Sequence, residues 1–236
     1  MSKKISHTLV GGRTVAGTGG QGLKVGSQGK LYWLDVDEVT LIPWTFQGSN
    51  YGYSIGGDGS ANNIEKFTFA SAGNASNVAD LTRSVHNIAG TSSADHGYSI
   101  GGASSDVIDR FANASSANSA DVGNITVSRG VGAGCSSATH GFIAGGDAES
   151  VVPDVIDKYA FASSGDSVDW GDISGNRSGG AGASDTDYGY AAGGTQSSGY
   201  VNIIERFPFA SSAGTSDVGD LTGAITWGSG VSSTTN

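Results

Sequence analysis

The chain has 236 residues, 37% of them hydrophobic and only 14% charged, which suits one large domain with an attached segment and excludes a highly charged disordered chain. Lys+Arg 12 against Asp+Glu 22 leave a net charge of −10, which repels a phosphate backbone, so nucleic acid is not expected as a partner. Forty glycines with three prolines and no G-X-Y period exclude collagen and imply dense turns, the single cysteine excludes an internal disulfide, and no apolar window is long enough to span a membrane.

The chain opens Met1-Ser2-Lys3-Lys4 and continues with Ile5-Ser6-His7-Thr8 rather than an apolar run, so no secretory signal is read and synthesis in a cytoplasm is expected. Residues 11–30 hold eight glycines and read as an arm or loop. Within them Gly17-Thr18-Gly19-Gly20-Gln21-Gly22 is superficially like a dinucleotide loop, but it lacks a flanking strand and helix, and no cofactor is expected. Leu31-Tyr32-Trp33-Leu34 and Val39-Thr40-Leu41-Ile42-Pro43-Trp44-Thr45-Phe46, separated by the acidic stretch 35–38, predict a β-hairpin. Two roles fit its aromatic residues. They either cover or complete the domain that follows, or they dock the protein to a larger assembly through Tyr32, Trp33, Trp44 and Phe46. Residues 1–50 are accordingly taken as an N-terminal arm and hairpin with a docking role.

From residue 51 onward the sequence repeats, with units at about 52–96, 97–140, 141–188 and 189–236. A glycine doublet recurs as Gly56-Gly57, Gly101-Gly102, Gly145-Gly146 and Gly193-Gly194, at steps of 45, 44 and 48 residues, each closing a short apolar or aromatic run. Next comes a tetrad: Ile64-Glu65-Lys66-Phe67, Ile108-Asp109-Arg110-Phe111, Ile156-Asp157-Lys158-Tyr159 and Ile204-Glu205-Arg206-Phe207, the alternation of a half-buried strand. A third element runs through Val78, Val122, Trp170 and Val218, and a fourth, rich in small residues, begins at Gly90, Gly134, Gly182 and Gly230. Four short strands per unit of about 45 residues predict an all-β fold, a small β-propeller of about four blades with four strands each. The doublets predict positive φ and tight approach near the axis. If each serine-rich strand belongs with the doublet strand after it, the C-terminal strand, Gly230 to Thr234, completes the first blade and closes the ring, removing exposed sheet edges.

Chemistry-bearing residues are sparse. His7, His86, His96 and His140 do not form a ring across the repeats, so no metal site is expected. Cys135 aligns with Thr91, Ala183 and Val231 and reads as a small packed residue rather than a nucleophile. Asp80, Asp172 and Asp220, with Asn124 in the second repeat, read as groups at turns and strand ends. The adjacent tetrad charges point to opposite faces and read as cross-strand pairs or solvated groups. No acid pair unique to one repeat stands out, so no catalytic residue is expected.

The order of signatures resembles the kelch repeat over residues 52–236: an apolar strand ending in Gly-Gly, an Ile-acid-base-aromatic strand, a third strand, and a basic segment holding Arg129 and Arg177. The third strand departs from that pattern, since only Trp170 carries the usual tryptophan. The wording Phe-Ala-Ser followed by Asp-Val-Gly-Asp-Leu-Thr within 209–222 looks more like kelch-like repeats of virion proteins from marine tailed bacteriophages, cyanophages among them. That resemblance implies a non-enzymatic virion protein on tail, fibre or capsid, acting in assembly or host recognition, with other virion proteins as partners in multiple copies and a host-surface glycan or protein as a further partner. A capsid decoration protein without a receptor role, a lectin-like propeller, a kelch-type adaptor and a glycosidase are the alternatives.

Overall fold

A computed structural model of the chain describes residues 21–25, 31–35, 50–58, 61–102, 105–148 and 153–232. The chain divides into two compact units, Met1–Pro43 and Trp44–Asn236. The described residues of the first form a two-stranded antiparallel ladder, β1 (Gln21–Val25) on β2 (Leu31–Asp35), in which Lys24 is paired with Tyr32 and Leu23 with Trp33. The strand expected at 31–34 is there, but its partner precedes it, inside the stretch expected to be an arm. Gln-Gly-Leu-Lys-Val alternates in strand fashion, and Gly-Ser-Gln-Gly-Lys after it has turn composition. The second strand expected at 39–46 lies outside the described residues.

The second unit is all-β and antiparallel. Its strands are β3 (Tyr51–Ile55), β4 (Asn63–Thr68), β5 (Ser76–Asp80), β6 (Ala89–Ser92), β7 (His96–Ile100), β8 (Val107–Ala112), β9 (Ala120–Asn124), β10 (Ala133–Ser136), β11 (His140–Ala144), β12 (Val155–Ala160), β13 (Val168–Asp172), β14 (Ala181–Ser184), β15 (Tyr188–Ala192), β16 (Thr195–Gln196), β17 (Gly199–Tyr200), β18 (Ile203–Pro208) and β19 (Ser216–Asp220). They pair into a three-stranded sheet, β3-β4-β5, and three four-stranded sheets, β6-β7-β8-β9, β10-β11-β12-β13 and β14-β15-β18-β19; β16 and β17 make a small hairpin within the last repeat. The phase expected from the sequence holds, because each serine-rich strand pairs with the doublet strand after it. The first sheet has no fourth strand among the described residues. Gly230 to Thr234 was expected there; Ser232 Oγ accepts the Ser184 N–H at 2.8 Å, which sets this segment beside β14, and among the described residues, which end at Ser232, none of it forms a ladder with β3.

The tetrad strand and the strand after it shift register at one place in every sheet: between Ile64 and Glu65, Ile108 and Asp109, Ile156 and Asp157, and Ile204 and Glu205. The skipped residues are Val78, Val122, Trp170 and Val218. A side chain one position earlier anchors each bulge, as Asn77, Asp121, Asp169 and Asp217 accept the N–H two residues on, at 3.0–3.2 Å.

Apolar residues gather into three clusters, each drawing on two consecutive sheets. Ile64, Leu81, Val85 and Phe111 join the first and second; Tyr98, Ile100, Ile108, Ile143 and Tyr159 the second and third; Phe142, Ile156, Ala191 and Phe207 the third and fourth. Aromatic pairs cross each junction, with ring centroids 5.1 Å apart for Tyr53 and Phe111, 5.4 Å for Tyr98 and Tyr159, and 5.6 Å for Phe142 and Phe207.

The doublets have the backbone expected of them, though the crowding has a different source. The first glycine of each sits at φ 60° to 66° and the second at 108° to 134°. The second donates its N–H to the carbonyl of Val85, Arg129, Arg177 or Ile225, in the connecting segment later in the same repeat. A Cβ on Gly145 would run into the Arg177 carbonyl and come within 2.8 Å of Ile173 Cδ1. Gly145→Ala is therefore expected to lose about 2 kcal/mol or more, the left-handed conformation alone accounting for about 1–2 kcal/mol. Gly73→Ala, where a Cβ meets nothing within 4 Å, stays within about 0.5 kcal/mol of the parent. Urea unfolding of both variants checks the contrast.

Candidate functional site: the junctions between sheets and the cavity beside the first

Three of the four tetrad acids are among the most deeply buried charges of the described residues. Asp109, Asp157 and Glu205 are 0%, 0% and 1% exposed. Each meets an arginine from the preceding repeat: Arg83 to Asp109 at 2.5 Å, Arg129 to Asp157 at 2.7 Å and Arg177 to Glu205 at 2.6 Å. The reading of these acids as solvated or cross-strand groups is thus corrected, and its physical reason is the arginine arriving from another repeat. The same guanidinium binds backbone carbonyls at the doublet: Arg83 Nη2 donates to Gly101 at 2.6 Å and Arg129 Nε to Gly145 at 2.9 Å. Hydroxyls complete the shell. Thr82 Oγ1 donates to Asp109 at 2.7 Å, Thr126 Oγ1 and Ser167 Oγ to Asp157 at 3.1 and 2.6 Å, and Thr215 Oγ1 to Glu205 at 3.0 Å. Burial lowers Arg83 and Arg177 from the ordinary guanidinium value, with Asp109 and Glu205 opposing it, and arginine titrates far enough above neutrality to stay charged.

Three of the four tetrad bases lie over aromatic rings. Lys66 Nζ lies 3.8 Å from the Tyr51 centroid, Lys158 Nζ 3.4 Å from Trp170, and Arg206 lies over Tyr188 at 4.4 Å. Removing one partner of a buried pair leaves an uncompensated charge, which costs about 3–5 kcal/mol. Arg129→Met is expected to lose that much. Arg129→Met combined with Asp157→Asn is expected to lose less than the two single changes summed, in a double-mutant cycle read by chemical denaturation.

The serine-rich strands stack one on the next. The Ser92 N–H donates to Ser136 Oγ at 3.2 Å, the Ser136 N–H to Ser184 Oγ at 2.9 Å, and the Ser184 N–H to Ser232 Oγ at 2.8 Å. Beside this stack and β3 lies a cavity of about 420 Å³, lined among others by Tyr51, Tyr53, Phe69, Asn113, Ser136 and Ser232.

Cys135 sits in the stack, 2% exposed, its Sγ donating to the Tyr190 carbonyl at 3.3 Å, and burial pushes its thiol up to about 12. The sign is unfavourable for a nucleophile, since the thiolate is scarce near neutrality. Iodoacetamide at pH 8 is expected to label Cys135 only on unfolding, with full labelling in denaturant and almost none in buffer, as read by intact mass.

Asp80, Asn124 and Asp172 close their strands as expected, and bonds cross from the first two to the next repeat: the Ser119 N–H donates to the Asp80 carbonyl at 2.9 Å, the Ser167 N–H to that of Asn124 at 2.8 Å, and the Asn124 side-chain amide to Asp166 at 3.2 Å. His96 and His140 begin equivalent strands, and burial lowers both from the usual imidazole value. No cluster of three or more metal-ligating side chains occurs among the described residues, and no described helix is long and apolar enough to cross a membrane. Of the residues singled out for docking, Tyr32 and Trp33 are neighbours in β2, while Trp44 and Phe46 lie outside the described residues. No protein-family model matches the chain, and no curated protein matches it.

Proposed function

We propose that the protein is a non-enzymatic structural protein of a tailed-bacteriophage virion, its sheets being the blades of a kelch-like β-propeller and the segment before them docking it to the particle. The observation that carries the reading is the use made of the recurring ionisable groups: Asp109, Asp157 and Glu205 are all committed to arginines between sheets, which spends the repeat's charge on scaffold. Such a domain displays a polar, weakly charged surface, suits exposure on a tail, fibre or capsid, and works through contact in assembly or host recognition. The phage-like wording of residues 209–222 supports the same reading. Partners are then other virion proteins, met in multiple copies through Tyr32, Trp33, Trp44 and Phe46.

A lectin-like role has one feature in its favour. The cavity beside the first sheet combines the tyrosines Tyr51 and Tyr53 with the amide of Asn113 and serine hydroxyls, groups that suit a sugar. Mass spectrometry of purified virions separates the two, with peptides of the chain expected in the particle. Their absence, together with a positive glycan array, would reverse the order. Tyr32→Ser combined with Trp33→Ser is expected to lower incorporation into virions at least about tenfold, equivalent to about 1.4 kcal/mol of docking free energy, while the melting temperature of the remaining chain is unchanged.

A further inference from the structure

Three sheet junctions share one set of parts, and the outward face of the first sheet carries half of a fourth. The tetrad aromatics Phe111, Tyr159 and Phe207 are 5%, 4% and 1% exposed because the preceding sheet covers them, whereas Phe67 is 39% exposed. Two residues further on, Phe161 stacks on Tyr98 at 5.0 Å and Phe209 on Phe142 at 4.8 Å, both across a junction. Their equivalent, Phe69, is 63% exposed and meets Phe67 of its own strand. The carboxylate of Glu65, equivalent to the three buried acids, is exposed and has no partner among the described residues. Among the described strands β3 pairs with β4 alone, where β7, β11 and β15 each also carry a serine-rich strand. A Cβ on Gly134 or Gly182 would strike the preceding serine-rich strand, but one on Gly90 meets nothing within 4 Å.

We infer that this face is a docking surface for a further β-sheet repeat of the same construction, one that presents an arginine to Glu65. Charge complementarity defines the partner. At the three internal junctions the acid is held by an arginine two residues past Leu81, or four past Ile125 and Ile173. The corresponding residues after Leu221 are Gly223 and Ile225. The last repeat of this chain, and equally that of a second copy, therefore offers Thr222 and Tyr190 but no cation at the position of the junction arginines. Glu65 also lacks the hydroxyl that Ser167 and Thr215 supply to the acids of their own repeats, since Ala75 stands at the equivalent position. Covering Glu65 with the last repeat would bury a carboxylate without a counter-charge, which the other three junctions avoid. The inference does not depend on the proposed virion role.

The test uses the full chain, with Ile225→Arg or Gly223→Arg as the probe, because either installs the missing arginine on an end that every copy carries. Wild-type chain is expected to sediment as a monomer, with the amides of β3 exchanging hydrogen at least about tenfold faster than those of β7. At least one arginine variant is expected to self-associate or to melt at higher temperature, and Glu65→Gln in the same chain is expected to abolish the gain. Three results would overturn the inference. One is wild-type β3 protected as well as β7, which means that residues 1–49 or the chain's own C-terminal segment already cover the face. Another is wild-type self-association insensitive to Glu65→Gln, which means that a second copy docks without an arginine. The last is the absence of any Glu65-dependent gain in both arginine variants.

Discussion

The repeat region depends on burying a carboxylate between two β-sheets without leaving it unpaired. A carboxylate taken out of water loses several kcal/mol of hydration, so burial is tolerable only where a cation and further donors replace the water. At Asp157 those are the Arg129 guanidinium, both polar groups of Thr126 and the Ser167 hydroxyl. Arg129 also reaches the carbonyls of Gly145 and Val127, so one guanidinium ties the third sheet's acid to the turn after β11 and to its own connecting segment. A pair of this kind adds little net stability, because desolvation offsets most of its attraction. The free energy of joining the sheets comes from the three apolar clusters, and the ion pair penalises wrong registers. A slip that left Asp157 against apolar side chains would forfeit its whole shell of donors.

Local structure is arranged around that acid. In the third and fourth sheets strand alternation turns the acid inward and the next residue, Lys158 or Arg206, outward onto a ring. The register shift falls at the acid in all four sheets, and the skipped residue opposite is freed from the ladder. In the third sheet the skipped residue is Trp170, which receives Lys158 over its face and donates Nε1–H to the Pro208 carbonyl of the fourth sheet at 3.1 Å. One bulge therefore aims the acid, releases an aromatic side chain and adds a bond across the junction.

Much of the fold was legible in the sequence because it recurs. Doublets, tetrads and serine-rich segments at steps near 45 residues gave the strands, and their phase gave the pairing of each serine-rich strand with the doublet strand after it. The acid–arginine pairs were not legible, for a specific reason. An adjacent acid and base on a strand look like a solvated pair, and the true partner lies some twenty to thirty residues earlier, in a different repeat. Arg129 and Arg177 fall in step with each other, but Arg83 stands two positions early and reaches the equivalent place with a different length of loop, which hides the period. Gln21–Val25 was missed because a five-residue strand within a glycine-rich stretch has too few large side chains to register as one. Of the docking residues, only the placement of Tyr32 and Trp33 in a strand is described.

In an array whose sheets touch only their neighbours, stability is the sum of each sheet's own contribution and of the junctions between them, and end sheets are ordinarily polar on the outer side. Here both ends break that rule. The first sheet exposes Phe67 and Phe69, and the connecting segment after β19 exposes Ile225 and Trp227, the latter 67% accessible. Apolar area on its own would make the two ends complementary, because each retains aromatic parts that the internal junctions use. Charge separates them. Glu65 persists at one end, while the position that should answer it holds isoleucine, so the ends share the apolar half of a junction and lack the polar half that fixes its register. Apolar contact without a register-setting pair is permissive, and an interface of that kind selects its partner by whichever surface supplies the cation.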